Sequence, residues 1–254
     1  MDLANEDGQY LPAGEPDIGI LISCIRAGSS LGGHLLHAAG HGNCIGELHQ
    51  KWDIWDESTP QRVRTVYELN KRKARIKENA SGVIIDKQVG PNVVLNGPTA
   101  YGWASKIWIQ TREPLCHIHA VSKWQWPQCN FIFLLRQYAN QVAAYHLWKD
   151  SRDVTVYDYY DLYDPAARAD LLGDDFKDEV KYKPTAFAGR PGWGDPTEAL
   201  KKGTLLPRSR ESDIQKALDN LDPGILTHPA VPQLYGLYNE LHRAAGRQTV
   251  EIPV

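Results

Sequence analysis

No uninterrupted apolar stretch in this 254-residue chain reaches the roughly 18 to 20 residues needed to cross a bilayer. Residues 1–17 are polar and carry several acids instead of a basic then apolar leader, so neither a signal nor a membrane anchor is expected. The four cysteines, Cys24, Cys44, Cys116 and Cys129, are scattered without a C-x-x-C pair. Three of them stand in or beside apolar runs, where free thiols behave as small core residues, and a reducing, cytoplasmic setting follows as the expectation. A formal net charge of −3 supplies neither a polybasic surface nor a disordered acidic tail, so no nucleic-acid partner is expected. No internal repeat or low-complexity segment divides the chain, and it is read as a single domain over residues 1–254 with one α/β core. A nucleotide-triphosphatase loop is also lacking. Gly28 and Gly33 have its glycine spacing, but His34 stands where its lysine belongs and Leu35 where its hydroxyl belongs.

What the chain does have is concentrated in residues 18–47. The apolar run Ile20-Leu21-Ile22 meets Ser23-Cys24-Ile25-Arg26-Ala27-Gly28-Ser29-Ser30-Leu31 and passes into a helix-like stretch at residues 34–39. A buried strand feeding a turn with a glycine, hydroxyls and an arginine, then opening a helix, aims free N–H groups and a positive dipole end at one spot. That spot suits an anion.

Arg26-Ala27-Gly28-Ser29-Ser30-Leu31 resembles the 5′-phosphosulfate loop of sulfotransferases that use 3′-phosphoadenosine 5′-phosphosulfate (PAPS), whose pattern is Arg/Lys-Ser-Gly-Ser/Thr-Ser/Thr-Leu after an apolar strand. Only Ala27 departs. Residues 126–136, Trp-Pro-Gln-Cys-Asn-Phe-Ile-Phe-Leu-Leu-Arg, are similar to the family's buried strand delivering an arginine, here Arg136, to the 3′-phosphate. Thr111-Arg112-Glu113-Pro114 resembles the Lys-x-Pro step of the tyrosylprotein and carbohydrate branches, with arginine for lysine. Val154 to Pro165 is similar to the family's valine-x-tyrosine-acid-x-leucine segment with its following Asp-Pro and helix. These landmarks stand in family order over residues 18–176. Lys201-Lys202-Gly203 is similar to the Arg-Lys-Gly triplet that closes over the 3′-phosphate in soluble members. The family follows its 3′-phosphate arginine with Asp-Pro and, eight residues on, a serine; after Arg136 this chain has Gln137-Tyr138 and Ala144. The resemblance therefore implies compensation by Tyr145, Lys201 or Lys202, or weak binding.

The wider pattern is read as follows. An amphipathic helix is expected over residues 59–80, whose basic run at residues 71–75 is a solvated face, then a strand at 82–86 and a loop at 90–102. Strands are expected at 107–110 and 131–135, and helices at 139–148, 213–221 and 232–245. Gly, Pro and Lys crowd the region between them, and residues 177–210 are read as a lid or substrate loop. Alternating strands and helices argue for an α/β fold with a parallel sheet and right-handed crossovers. With the resemblance this becomes a three-layer, P-loop-like fold, a central parallel β-sheet flanked by helices. Ligands of such sheets bind beyond the carboxyl ends of the strands, where Arg26, Arg112 and Arg136 are all expected.

The resemblance implies a sulfotransferase with PAPS as donor and PAP as product, needing no metal and acting on a hydroxyl or an amine or carbamoyl nitrogen of a small metabolite such as a natural product. Arg26, Ala27, Gly28, Ser29, Ser30 and Leu31 would hold the 5′-phosphosulfate, and Arg136, Lys201, Lys202 and Gly203 the 3′-phosphate. Arg112 would add a second cation at the sulfuryl group. Glu47, in the pair Gly46-Glu47, matches the catalytic glutamate of the tyrosylprotein branch and suits a base if partly desolvated. His119 is the alternative base, with His117 and His49 behind it, since histidine titrates near neutrality. His34, His37 and His41 recur at helical spacing, yet no acidic or cysteine partner has the spacing of a metal site. Trp52, Trp55, Tyr101, Trp103, Trp124 and Trp126 can line an acceptor pocket or a core. The acceptor stays open among sugar, phenol, alcohol and nitrogen, as does the oligomeric state. The alternatives are a weak or inactive nucleotide-binding member and, third, a phosphotransferase.

Overall fold

The computed structural model describes residues 17–46, 83–89, 106–122, 131–173 and 208–253. Among them five strands, β1 (Asp17–Ser23), β2 (Asn43–Gly46), β3 (Val83–Val89), β4 (Lys106–Thr111) and β5 (Asp153–Asp158), form one sheet. All neighbours are parallel and the order is β2-β3-β1-β4-β5. The helices are α1 (Ser29–Ala38), α2 (Pro114–Ser122), α3 (Phe131–Trp148), α4 (Pro165–Leu172), α5 (Arg210–Asn220), α6 (Pro223–Leu226) and α7 (Ala230–Ala244). A 3-10 turn, Tyr159–Leu162, follows β5.

The period-2 alternation of a strand decides the layers. Leu21 and Trp108, opposite each other in the β1–β4 register, pack with Leu31, Leu35 and Leu36 of α1 and with Leu171 and Leu172 of α4. Ile20, Ile22, Ile107 and Ile109 point to the other face, against Val142, Ala144 and Trp148 of α3 and Leu241 of α7. Both faces of a parallel sheet are thus covered by helices, which is why its strands read as nearly unbroken apolar runs. A third apolar cluster lies at the carboxyl end of β1, joining Cys24 and Ala27 to Leu115, Ile118, Leu134, Tyr138, Ala217, Leu234, Tyr235 and Tyr238.

The expected strand at residues 131–135 is a helix: α3 begins at Phe131 and runs without a break to Trp148. Five apolar residues in a row fit a buried strand or a helix equally. The buried set Leu134, Gln137, Tyr138, Gln141, Val142 and Trp148 shows the 3.6-residue period that decides it. Arg136 consequently stands exposed on α3 and is not at a strand end. The expected strands at 82–86 and 107–110 are β3 and β4, and the two C-terminal helices are α5 and α7. The Asp-Pro step opens α4, where Asp164 Oδ1 accepts from the Ala167 amide at 2.8 Å with Pro165 in the first helical turn. The helix expected at 59–80, the loop at 90–102 and residues 177–207 of the expected lid lie outside the described residues. No helix among the described residues is long and apolar enough to cross a membrane.

Candidate anion-binding loop

The loop between β1 and α1 leaves the carboxyl end of the central strand, with β3 on one side and β4 on the other. The chain passes outward to β2 and returns through β3 before crossing to β4, so β1 stands at the reversal of strand order where α/β sheets bind ligands. Two residues of this loop take left-handed backbone conformations, Arg26 at φ 62 and Gly28 at φ 92. Successive amides around such residues form a concave anion nest. Ala27 N donates to Cys24 O at 3.1 Å, closing the turn. Gly28 caps α1 without any side-chain acceptor, and among the described residues no acceptor faces the amides of Gly28 and Ser29.

Three consecutive loop carbonyls meet side chains from outside the loop. Ile25 O faces His117 Nε2 at 2.5 Å, Arg26 O accepts from Arg112 Nη1 at 2.9 Å, and Ala27 O accepts from Gln110 Nε2 at 2.8 Å. The Ile25 amide in turn donates to Gln137 Oε1 at 2.9 Å. Tyr157 Oη donates to Gln110 Oε1 at 2.9 Å, which fixes which end of that amide meets Ala27. Glycine is required where the walls come closest. A Cβ on Gly28 would stand 2.3 Å from Tyr159 Cε2, and one on Gly32 2.3 Å from Gln110 Oε1 and 2.4 Å from Tyr157 Oη.

Arg112 closes the loop from the end of β4. It is 7 % exposed, its guanidinium lies 4.7 Å from the Tyr159 ring centroid, and its Nε has no hydrogen-bond partner among the described residues. No carboxylate forms an ion pair with it among those residues. Burial, and the Arg112 charge beside it, hold the Arg26 guanidinium below its ordinary pKa. A second guanidinium, that of Arg208, reaches the same ring. Arg208 donates from Nη1 to Tyr159 Oη at 3.0 Å, its charge lies 5.3 Å from the ring centroid, and its Nε is hydrogen-bonded to Asp213 Oδ2.

His117 is fully buried and cannot meet a substrate as a base. Because Ile25 O only accepts, Nε2 carries the imidazole hydrogen. Nδ1 then faces Tyr138 Oη at 3.0 Å, while Tyr138 donates to Arg112 O at 2.6 Å. One hydroxyl hydrogen serves two acceptors. Burial first, with the Arg112 and Arg26 charges adding to it against the Ile25 hydrogen bond, drives the His117 pKa down to about 3.

The structure therefore brings together Arg26, Ala27, Gly28, Ser29, Ser30, Leu31 and Arg112, and leaves Arg136 on the exposed side of α3. His119 is half-buried on α2. Tyr145 packs beside the α3–α7 core. Glu47, His49, Lys201, Lys202 and Gly203 lie outside the described residues, as do Trp52, Trp55, Tyr101, Trp103, Trp124 and Trp126. Among the described residues no three His, Cys, Asp or Glu side chains gather as a metal-binding group. His37 Nδ1 instead lies 3.1 Å from Gly42 O, and His41 packs against Trp108. Gln110 and Arg208 were not singled out from sequence, Gln137 and Tyr138 were noted only as departures after Arg136, and Tyr159 was read only within its family segment. One signal was present: Arg112-Glu113-Pro114 is arginine, acid, proline at a strand end. Comparison with protein-family models and with curated protein sequences finds no match to this chain.

Proposed function

We propose that the chain is a PAPS-dependent sulfotransferase of P-loop-like fold, acting on a hydroxyl or nitrogen of a small metabolite. The observation that carries this reading is the loop after β1, where the amides of Gly28 and Ser29, without an acceptor among the described residues, stand with Arg26 and the buried Arg112. Amides, a helix N-terminus and two guanidinia in a partly dry site favour a multiply charged, phosphate-like group. His34 in place of the P-loop lysine disfavours a nucleoside triphosphate.

In this reading the acceptor atom attacks sulfur in line, its bond to the phosphate oxygen breaks, and PAP leaves with the electron pair. Arg26 and the loop amides stabilise the charge that builds on that oxygen, and Arg112, expected from the sequence at the sulfuryl group, serves the 3′-phosphate instead. Glu47 takes the acceptor proton, with His119 the alternative. The family's arginine–acid–proline step at a strand end is assigned to Arg112-Glu113-Pro114 in place of Arg136, and Glu113 serves as a buried acceptor for the Cys116 amide at 2.7 Å and for Tyr235.

Eight residues beyond Arg112 stands Ala120, not serine. That favours one second reading, a nucleotide-binding member with little or no turnover. The melting temperature with and without saturating PAP, with ADP and ATP as controls, tests the proposal. PAP at a hundred times its dissociation constant adds about 2.7 kcal/mol, a shift on the order of 5 to 10 °C for this chain length. A shift with PAP plus sulfated product that is lost in Glu47→Gln supports the enzyme, and a shift without product supports the binder. No shift with PAP, or a larger one with ATP, sinks both.

A further inference from the structure

We infer that Gln110, His117 and Gln137 are positioning residues for anion binding, holding the backbone of the loop so that its carbonyls face the protein and its amides face the ligand. This rests on the anion-site reading above.

The inference starts from an imbalance in the loop. Three consecutive carbonyls, those of Ile25, Arg26 and Ala27, meet side-chain donors from other elements at 2.5, 2.9 and 2.8 Å. Only Arg112 among those donors carries a charge that an anion can use. Gln110 and His117 are each fully buried, and Gln137 is 2 % exposed. They cannot touch a ligand in the mouth of the loop, and their contacts there are to backbone. Each is itself oriented: Gln110 by the Tyr157 hydroxyl, His117 by Tyr138, and Gln137 by the Ile25 amide it accepts from.

Arg26 holds a left-handed conformation at φ 62, which an arginine adopts only when its surroundings impose it. Rotating the Ile25–Arg26 peptide plane relieves this strain and turns the Ile25 carbonyl oxygen toward the anion, and rotating the Ala27–Gly28 plane turns the Ala27 carbonyl toward it and the Gly28 amide away. Loss of the donors to Ile25 O and Ala27 O removes what opposes these rotations. An outward carbonyl places negative charge where the amides of Gly28 and Ser29 otherwise attract it, so the same cations remain and the affinity falls.

The test compares wild type, Gln110→Met, His117→Leu and His117→Gln by titration calorimetry with two probes, PAP and inorganic pyrophosphate, alongside circular dichroism of the unliganded proteins. Glutamine presents an amide N–H near the place of the imidazole Nε2–H and keeps the bond to Ile25 O; leucine does not. The expected result is at least tenfold weaker binding of both probes by Gln110→Met and His117→Leu, with His117→Gln within threefold of wild type. Gln110→Met is nearly isosteric, and its folded spectrum keeps the test sound if His117→Leu fails to fold. Binding of pyrophosphate by Gln110→Met within twofold of wild type overturns the inference while leaving the anion site standing. Wild type that binds pyrophosphate but not PAP removes the sulfotransferase reading and leaves the positioning role measurable on pyrophosphate. Wild type that binds neither overturns the anion site and this inference together.

Discussion

Acid should weaken this fold well above the range in which carboxylates titrate, and His117 is the reason. The imidazole is completely buried, and its pKa falls from an ordinary 6.5 to about 3. A group whose folded pKa is depressed contributes stability that is fully present above its unfolded pKa and is lost as pH falls toward the folded value. The window for His117 therefore opens near its unfolded pKa and extends downward to about pH 3. The unfolded chain takes up the proton and the folded chain does not. Between pH 7 and pH 5 that difference amounts to about 2 kcal/mol, which corresponds to a fall in melting temperature on the order of 4 to 8 °C. Denaturant titrations at half-unit pH intervals, for wild type and His117→Gln, measure it directly, since glutamine does not titrate and should flatten the curve in this window. The His117 ring resonance should also stay unshifted down to about pH 4. A wild-type profile that is flat from pH 7 to pH 5, a His117→Gln profile with the same slope, or a ring titrating near pH 6 would each refute the reasoning. Under the proposed function, PAP bound beside Arg26 and Arg112 should lessen the loss, because its charge opposes two of the causes that keep His117 neutral.

Gly28→Ala should destabilise the chain by about 1 to 3 kcal/mol, since a Cβ at φ 92 meets the Tyr159 ring at 2.3 Å; an unchanged denaturation midpoint would contradict that close approach. Arg112→Met should weaken PAP binding by about ten- to hundredfold through loss of a charge-assisted hydrogen bond, while Arg136→Met should stay within about twofold. The reverse order in calorimetry would return the 3′-phosphate role to the exposed helix position.

The sheet was legible because its strands are buried on both faces and read as apolar runs, as Ile20-Leu21-Ile22 and Ile107-Trp108-Ile109 show. The same property misled at Phe131–Leu135, where a continuous run begins a helix whose period emerges only at Tyr138 and beyond. The loop was legible from a glycine, hydroxyls and an arginine following a strand. Its supports were not. Gln110, His117 and Gln137 reach the loop through backbone carbonyls and an amide, and a bond to backbone leaves no trace in the identity of its acceptor. Tyr159 was read within a family segment without a role, because its partners, Gly28, Arg112 and Arg208, stand far from it in the sequence.

The separations within the loop's hydrogen bonds set an order of events for the chain. Gln110, Arg112, His117 and Gln137 stand 83, 86, 92 and 112 residues beyond their partners in the loop. A chain emerging from the ribosome displays the loop sequence early, yet its amides cannot be aimed until α3 has been made and docked. Contacts of such sequence separation form late and slowly. An anion that recognises the aimed loop therefore meets only chains that have already folded, so it should prolong the life of the native state without hastening its arrival.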